Sequence, residues 1–280
     1  MTADMTRLLP PPGRAAVMGI LNITPDSFSD GGQLLAAGRP DLDRILRRAE
    51  DMVAAGADML DVGGESTRPG APPVAEAEEL ARVVPVVALL KARFAVPVSV
   101  DTSSPAVIDA VAAAGADLIN DVRALARPGA LDAAVRAGLP VCLMHTRGEP
   151  ADMGRLAQYA DVVTDVLGHL RARVAVCEAA GIPRAAIAID PGFGFAKNLD
   201  HNLALFRALD RFVAEGLPVL VGVSRKRMVG ELLDREVGDR LHGSVALALL
   251  AVRRGARILR VHDVAATVDA LKILYAIEGN

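Results

Sequence analysis

The chain has 280 residues, 52% of them hydrophobic but only 3% aromatic, and a formal net charge of −3. That length suits one large α/β domain or two small ones, with an aliphatic core. The charge excludes the basic excess of a nucleic-acid binder, and two cysteines, Cys142 and Cys177, supply neither a disulfide framework nor a metal-ligand spacing, so both read as buried reduced thiols.

The opening stretch MTADMTRLLPPPGR lacks the long apolar run of a secretory signal. No run in the chain approaches the roughly 18 apolar residues that span a bilayer. A cytoplasmic protein without membrane segments is expected, with residues 1–14 as a flexible lead-in. Val17–Leu21 is the first strand-like run, and it ends on Asn22. A long loop follows, Asn22-Ile-Thr-Pro-Asp-Ser-Phe-Ser-Asp-Gly-Gly32. Its oxygens, on Asn22, Asp26, Ser27, Ser29 and Asp30, suit a hard cation such as Mg²⁺, although the same residues also form ordinary turns. Leu42, Ile45, Leu46, Ala49, Met52 and Val53 then have helical period, with Asp41 as N-cap.

Met59–Leu60 meets Asp61 and opens a second long loop, Asp61-Val-Gly-Gly-Glu-Ser-Thr-Arg-Pro-Gly70. Arg68 in this loop is a cation suited to an anionic group. The helical stripe at Leu80, Val83, Val84 and Val87 contains Pro85, which should kink or end it. Val98–Val100 meets Asp101, Leu118–Ile119 meets Asn120, Val141–Met144 meets His145, and Ile187–Ile189 meets Asp190. Val219–Val223 meets Ser224, and Ile258–Val261 carries Arg260 and then His262. Between these runs, glycines at 56, 115, 138, 181, 216 and 255 each follow a helix-like stretch and precede a strand-like one. Glycine in that place stops a helix by adopting the left-handed conformation.

Eight apolar runs alternating with helices predict a single-domain (β/α)8 TIM barrel. An open doubly wound sheet is the alternative, and the missing GxGxxG after the first strand disfavours it. In a barrel the carboxyl ends of the strands converge on one face, where chemistry is done. Asp101, Asn120 and Asp190 would then share one mouth. Two carboxylates and an amide suit a flat heterocycle with several N–H donors, such as a pterin or guanine edge. Lys226, in Val223-Ser-Arg-Lys-Arg227, would add a cation beside them. Arg260 and His262 leave one face of the last strand, opposite Asn22, as a candidate diphosphate clamp. Phe193 and Phe195, in Asp190-Pro-Gly-Phe-Gly-Phe-Ala-Lys197, either flank a planar substrate or plug the barrel top. His169 and His201 read as surface residues, and spacing assigns His145 no role. No nucleophile triad, HExxH or P-loop is present.

Taken together, Met18–Gly32, Asp61–Gly70, SVDT at Ser99–Thr102, INDV at Ile119–Val122, MHTRGEP at Met144–Pro150, Asp190–Lys197, VGVSRKR at Val221–Arg227 and RVHDV at Arg260–Val264 closely resemble the dihydropteroate synthase family, in the family's order. The resemblance implies a TIM barrel that condenses 6-hydroxymethyl-7,8-dihydropterin diphosphate with p-aminobenzoate, giving 7,8-dihydropteroate and diphosphate. It implies pterin contacts at Asp101, Asn120, Asp190 and Lys226, and diphosphate contacts at Thr67, Arg260 and His262. It places Asn22 as the Mg²⁺ ligand, and Arg68, Pro69, Phe195, Ser224 and Lys226 near p-aminobenzoate. It also implies a homodimer. Ala196 departs from the glycine that many members carry. A pterin-dependent methyltransferase acting with a corrinoid partner, or a pterin-binding protein without turnover, are the competing readings. The long Asn-Thr-Pro-Asp loop and the Ser-Arg-Lys pair favour the synthase.

Overall fold

The computed structural model describes residues 3–25, 34–36, 38–68 and 70–279. Among these, eight parallel strands form one sheet: β1 (Ala16–Asn22), β2 (Met59–Gly63), β3 (Val98–Asp101), β4 (Leu118–Asp121), β5 (Val141–Met144), β6 (Ile187–Asp190), β7 (Leu220–Val221) and β8 (Ile258–Val261). Each pairs with its neighbour in sequence, and β8 returns to pair with β1. A parallel bridge between Ile189 and Val219 joins β6 to the start of the β7 run and closes the ring. This is the expected (β/α)8 barrel. The seventh strand is shorter than its apolar run, and the fourth extends one residue further, to Asp121.

Helices α1 (Leu42–Ala54), α2 (Glu76–Arg93), α3 (Pro105–Ala113), α4 (Ala130–Ala137), α5 (Val162–Ala179), α6 (Leu199–Arg207), α7 (Leu209–Val213), α8 (Arg227–Leu233), α9 (Leu241–Arg253) and α10 (Val264–Glu278) surround it. The Asp41 carboxylate accepts from the Arg44 amide and caps α1 as expected. The six helix-stopping glycines all have positive φ, from 63° at Gly138 to 103° at Gly181. Pro85 does not end the helix, because α2 runs through it. Pro85 and Ala81 both face solvent, so water can satisfy the Ala81 carbonyl that the proline leaves without a donor.

Two apolar regions hold the fold. The larger lies between the strands and the helices and is rich in Val, Ile, Leu and Ala. The smaller fills the lower barrel with Met18, Met59, Leu118, Cys142, Ala188, Leu220 and Ile258, closed from below by Met5. The lead-in expected to be flexible therefore contributes to the core: a 3-10 turn at Met5–Leu8, capped by Asp4, sends the fully buried Met5 inward. An unbranched thioether suits that irregular gap, and composition alone does not reveal it. Both cysteines are buried free thiols, and burial pushes the Cys177 thiol up to about 11. No described helix is long and apolar enough to cross a membrane.

Ala196 holds φ +49°, a left-handed conformation that costs an alanine about 1–2 kcal/mol. Ala196→Gly relieves it but gives back about 0.4–1 kcal/mol of unfolded-chain entropy. The expected net gain is about 0.5–1 kcal/mol, read by calorimetry as a small rise in Tm. A lower Tm would show that the methyl group's packing outweighs the backbone cost.

Candidate active site

The register of the ladders builds the site. Asn22 stands opposite Gly63, Gly63 opposite Asp101, and Asp101 opposite Asn120. Partners across a parallel ladder face the same way, so one row of β1, β3 and β4 tips points to one side. That side is the barrel interior, because Arg260 on β8 reaches both Asp61 on β2 (Nε–Oδ2 2.6 Å) and Asp101 on β3 (Nη2–Oδ2 3.1 Å). Asp61 is fully buried and also accepts from the Ser99 hydroxyl at 2.6 Å, with the Asn120 amide 3.5 Å away. A polar layer thus lies directly above the methionine-rich floor.

Burial raises the Asp101 carboxyl above its ordinary range, opposed chiefly by Arg260. Burial also raises Asp190, opposed first by Lys226 and then by the Gly192 amide, which donates to its Oδ1 at 2.7 Å. Lys226 is brought down to about 8 by burial, with Asp190 holding it up. Its ammonium donates to the Phe193 carbonyl and sits 4.6 Å above the Phe195 ring. Arg225, at φ +57°, turns the chain from β7 into α8 and is anchored by Asp263 (Nε–Oδ2 2.9 Å).

Burial lowers His262 to about 3, with Arg260 and Arg225 adding to the shift. It is therefore a neutral imidazole at pH 7, with Nδ1 3.1 Å from the Ser224 hydroxyl. Of the candidate diphosphate clamp, Arg260 carries a charge shared with two carboxylates, and the half-buried His262, one residue past β8, carries a neutral imidazole.

Thr67 and Phe195 line one cleft with Thr146, Gly148 and Pro150. Arg68 is half-buried, and its charge bears on His262. Pro69, Asp26, Ser27, Ser29, Asp30 and the Gly31–Gly32 pair lie outside the described residues. Phe193 is fully buried against Phe206 of α6, in the apolar region between strands and helices, whereas Phe195 stays half-buried at the cleft. His169 and His201 are half-buried rather than surface residues: His169 meets His145 edge-on at 4.9 Å, and His201 packs on Tyr159 at 5.0 Å.

Three features escaped the sequence. Asp61 stood at a strand tip, and an arginine inside a barrel demands such a partner, so that signal was available. Arg123, just past β4, binds Glu65 (2.9 Å) from the loop after β2 and Glu149 (2.6 Å) from the loop after β5. The Gly70 amide adds a bond to the Pro150 carbonyl at 2.7 Å, fastening the same two loops. Lys197, nearly buried, sits beneath the loop after β6. Neither loop partnership has a periodicity to betray it.

Comparison with known proteins decides what this mouth is. The profile of the family described as pterin binding enzyme matches residues 18–262. The chain is 51% identical over 260 residues to the dihydropteroate synthase of Escherichia coli K12, covering 93% of this chain and 90% of that protein. The chain belongs to the dihydropteroate synthases of the pterin-binding enzyme family. It is similarly 51% identical to the Haemophilus influenzae synthase, covering 93% of both. A crystal structure of Yersinia pestis dihydropteroate synthase with a sulfonamide drug complex superposes with a TM-score of 0.91, at 52% identity and 95% coverage of each chain. The Xanthomonas albilineans dihydropteroate synthase in complex with 7,8-dihydropteroate gives a TM-score of 0.82, at 44% identity over 95% of this chain and 94% of that one. Matches at this identity over nearly the whole chain, all to dihydropteroate synthases, set the corrinoid-dependent and non-catalytic readings aside, and the enzyme is a transferase.

Proposed function

We propose that the mouth binds 6-hydroxymethyl-7,8-dihydropterin diphosphate in its polar layer and p-aminobenzoate beneath the loops after β2 and β6, and joins them with loss of diphosphate. The observation that supports this most directly is the stack of Asp61, Asp101, Asn120, Asp190, Lys226 and Arg260 inside one barrel end. Carboxylates only accept hydrogen bonds, so Asp101 and Asp190 suit the N–H edge of the pterin, while the Asn120 amide both donates and accepts. Lys226 supplies a donor opposite them. Arg260 Nη1, neutral His262 and Thr67 receive the diphosphate, and Arg68, Pro69, Phe195 and Ser224 bound the aromatic amine.

In the reaction the bond from the pterin methylene carbon to the diphosphate oxygen breaks, and the electron pair leaves with the diphosphate. The amine nitrogen forms the new bond to carbon and loses a proton to solvent. No protein nucleophile is required. Shielding from water matters, since water competes with the amine.

Among the described residues no cluster of His, Cys, Asp and Glu could hold a metal ion. The Asn22 amide oxygen at the rim, beside Gly63 and Asp101, nevertheless fits a Mg²⁺ that keeps most of its waters and shares phosphate oxygens. Bound there, the ion would neutralise charge on the diphosphate. Chelation is expected to stop turnover and added Mg²⁺ to restore it; undiminished turnover in chelator would remove the ion from the proposal.

A coupled assay should show diphosphate release only when p-aminobenzoate is added, and release at the same rate without it would discard the condensation. Arg68→Ala should leave pterin diphosphate affinity intact by isothermal titration yet slow condensation at least tenfold. Normal turnover in that variant would sever the loop after β2 from catalysis. A cytoplasmic homodimer completes the proposal. Free buried thiols suit a reducing compartment, and Leu250 on α9 and Ile273 and Ile277 on α10 are exposed at 47%, 68% and 81%, an apolar face for a second copy. Light scattering should give about twice the 29.2 kDa chain mass.

A further inference from the structure

Lys197 ends the Asp190–Lys197 loop, and the reaction leaves it without an assignment. Its side chain is nearly buried, with 9% exposure for the whole residue. The ammonium lies 2.9 Å from the Gly192 carbonyl, 2.9 Å from the Phe195 carbonyl and 3.0 Å from His145 Nδ1, with the His145 carbonyl at 3.4 Å. An ammonium has three N–H donors and no acceptor, so His145 Nδ1 must accept and its imidazole must be neutral. Burial, reinforced by Lys197, holds His145 down to about 2, which agrees. One cation thus ties the loop after β6 at two points to the first residue after β5.

The tie bears on the site because of what the same loop presents. Between the two carbonyls held by Lys197 lies Phe193, whose own carbonyl accepts from Lys226. Phe195, whose carbonyl Lys197 holds, turns its ring beneath the Lys226 ammonium. The loop has little room to shift elsewhere: a Cβ on Gly192 would come 1.9 Å from the His145 carbonyl oxygen, and the Gly194 amide is bound by Asn202 at 2.8 Å.

We propose that Lys197 is a positioning residue of the synthase reaction: by gathering the Gly192 and Phe195 carbonyls and the His145 imidazole, it holds the loop that aims Lys226 and Phe195 at the aromatic amine substrate. The inference rests on the reading of Lys226 and Phe195 as substrate contacts. The groups bearing on Lys197 fix how it answers pH. Burial lowers it to about 7, Asp190 favours its charge, Lys226 and Arg147 oppose it, and His145 is uncharged. Lys197 is therefore charged, and the loop held, below about pH 7; the hold weakens as pH rises through that value.

The test compares wild type, Lys197→Met and Lys226→Ala. Lys197→Met should raise the KM for p-aminobenzoate at least tenfold while kcat changes less than threefold. In wild type that KM should climb as pH rises through 7, and in Lys197→Met the climb near 7 should vanish, leaving only the later one set by Lys226 near 8. A residue serving folding alone would alter yield and Tm but neither the KM-against-kcat split nor the pH profile. Unchanged KM and profile in a folded Lys197→Met, with Lys226→Ala impaired, would overturn the inference alone. An unimpaired Lys226→Ala would overturn the site reading and the inference with it. Should Lys197→Met fail to fold, the wild-type protein decides. The chain has four lysines, Lys91, Lys197, Lys226 and Lys272, so ε-¹³C-lysine NMR gives four signals, assigned by the Lys91→Arg, Lys226→Arg and Lys272→Arg variants. A Lys197 signal titrating near 7 supports the tie, and one titrating at the ordinary lysine value of about 10.4 overturns it.

Discussion

Isothermal titration of the Asp190→Ala variant is expected to show pterin diphosphate binding weakened more than a hundredfold. Asp190 is 6% exposed at the tip of β6, with Lys226 the first charge bearing on it. One carboxylate oxygen already accepts from the Gly192 amide. The ring N–H groups of a pterin would meet this carboxylate through charge-assisted bonds worth about 1.5–3 kcal/mol each. Losing two of them gives about 3 kcal/mol or more, and each 1.4 kcal/mol is about tenfold in affinity. Asp190→Asn keeps the shape and one acceptor, so it should lose less than the alanine variant. Affinity within threefold of wild type in Asp190→Ala would remove β6 from the pterin site.

Arg260→Met should be the most destabilising single change at the site. The guanidinium bonds two buried carboxylates, and truncating one partner of such a cluster costs about 3–5 kcal/mol. The cost has a pH signature. Arg260 is the chief charge opposing the burial that raises Asp101, so without it the neutral carboxyl is favoured further. A carboxyl whose folded pKa lies above its unfolded value loses stability as pH rises through the folded value. Urea denaturation of Arg260→Met should therefore show a larger deficit at pH 8 than at pH 5.5. An equal deficit at both would show that packing, and not charge, is what the methionine fails to replace.

Most of the barrel was legible in the sequence because its signals are local. Glycine at a helix end and an apolar run closed by a polar residue each need only a few neighbouring positions, and the parallel ladder then turns strand tips into one rim. Asp101, Asn120, Asp190 and Arg260 came together for that reason. What stayed hidden depends on contacts distant in sequence. Arg123 could not be paired with Glu65 and Glu149 from spacing, because three loops must first be folded over the mouth. His145 looked roleless until Lys197, 52 positions away, was found against its ring. Pro85 was an ambiguous stop signal: helix propensity penalises it, yet at a solvent-facing place water can satisfy the neighbouring carbonyl, and α2 continues. The neutrality of His262 was also out of reach, since it follows from burial beside two arginines.

The stopper formed by Met5 and the sulfur-rich layer above it turns the barrel into a blind well. Reactants and products must share a single doorway, so whichever partner lodges deeper has to arrive earlier, and the expelled anion has to climb out past the loops its successor descends through.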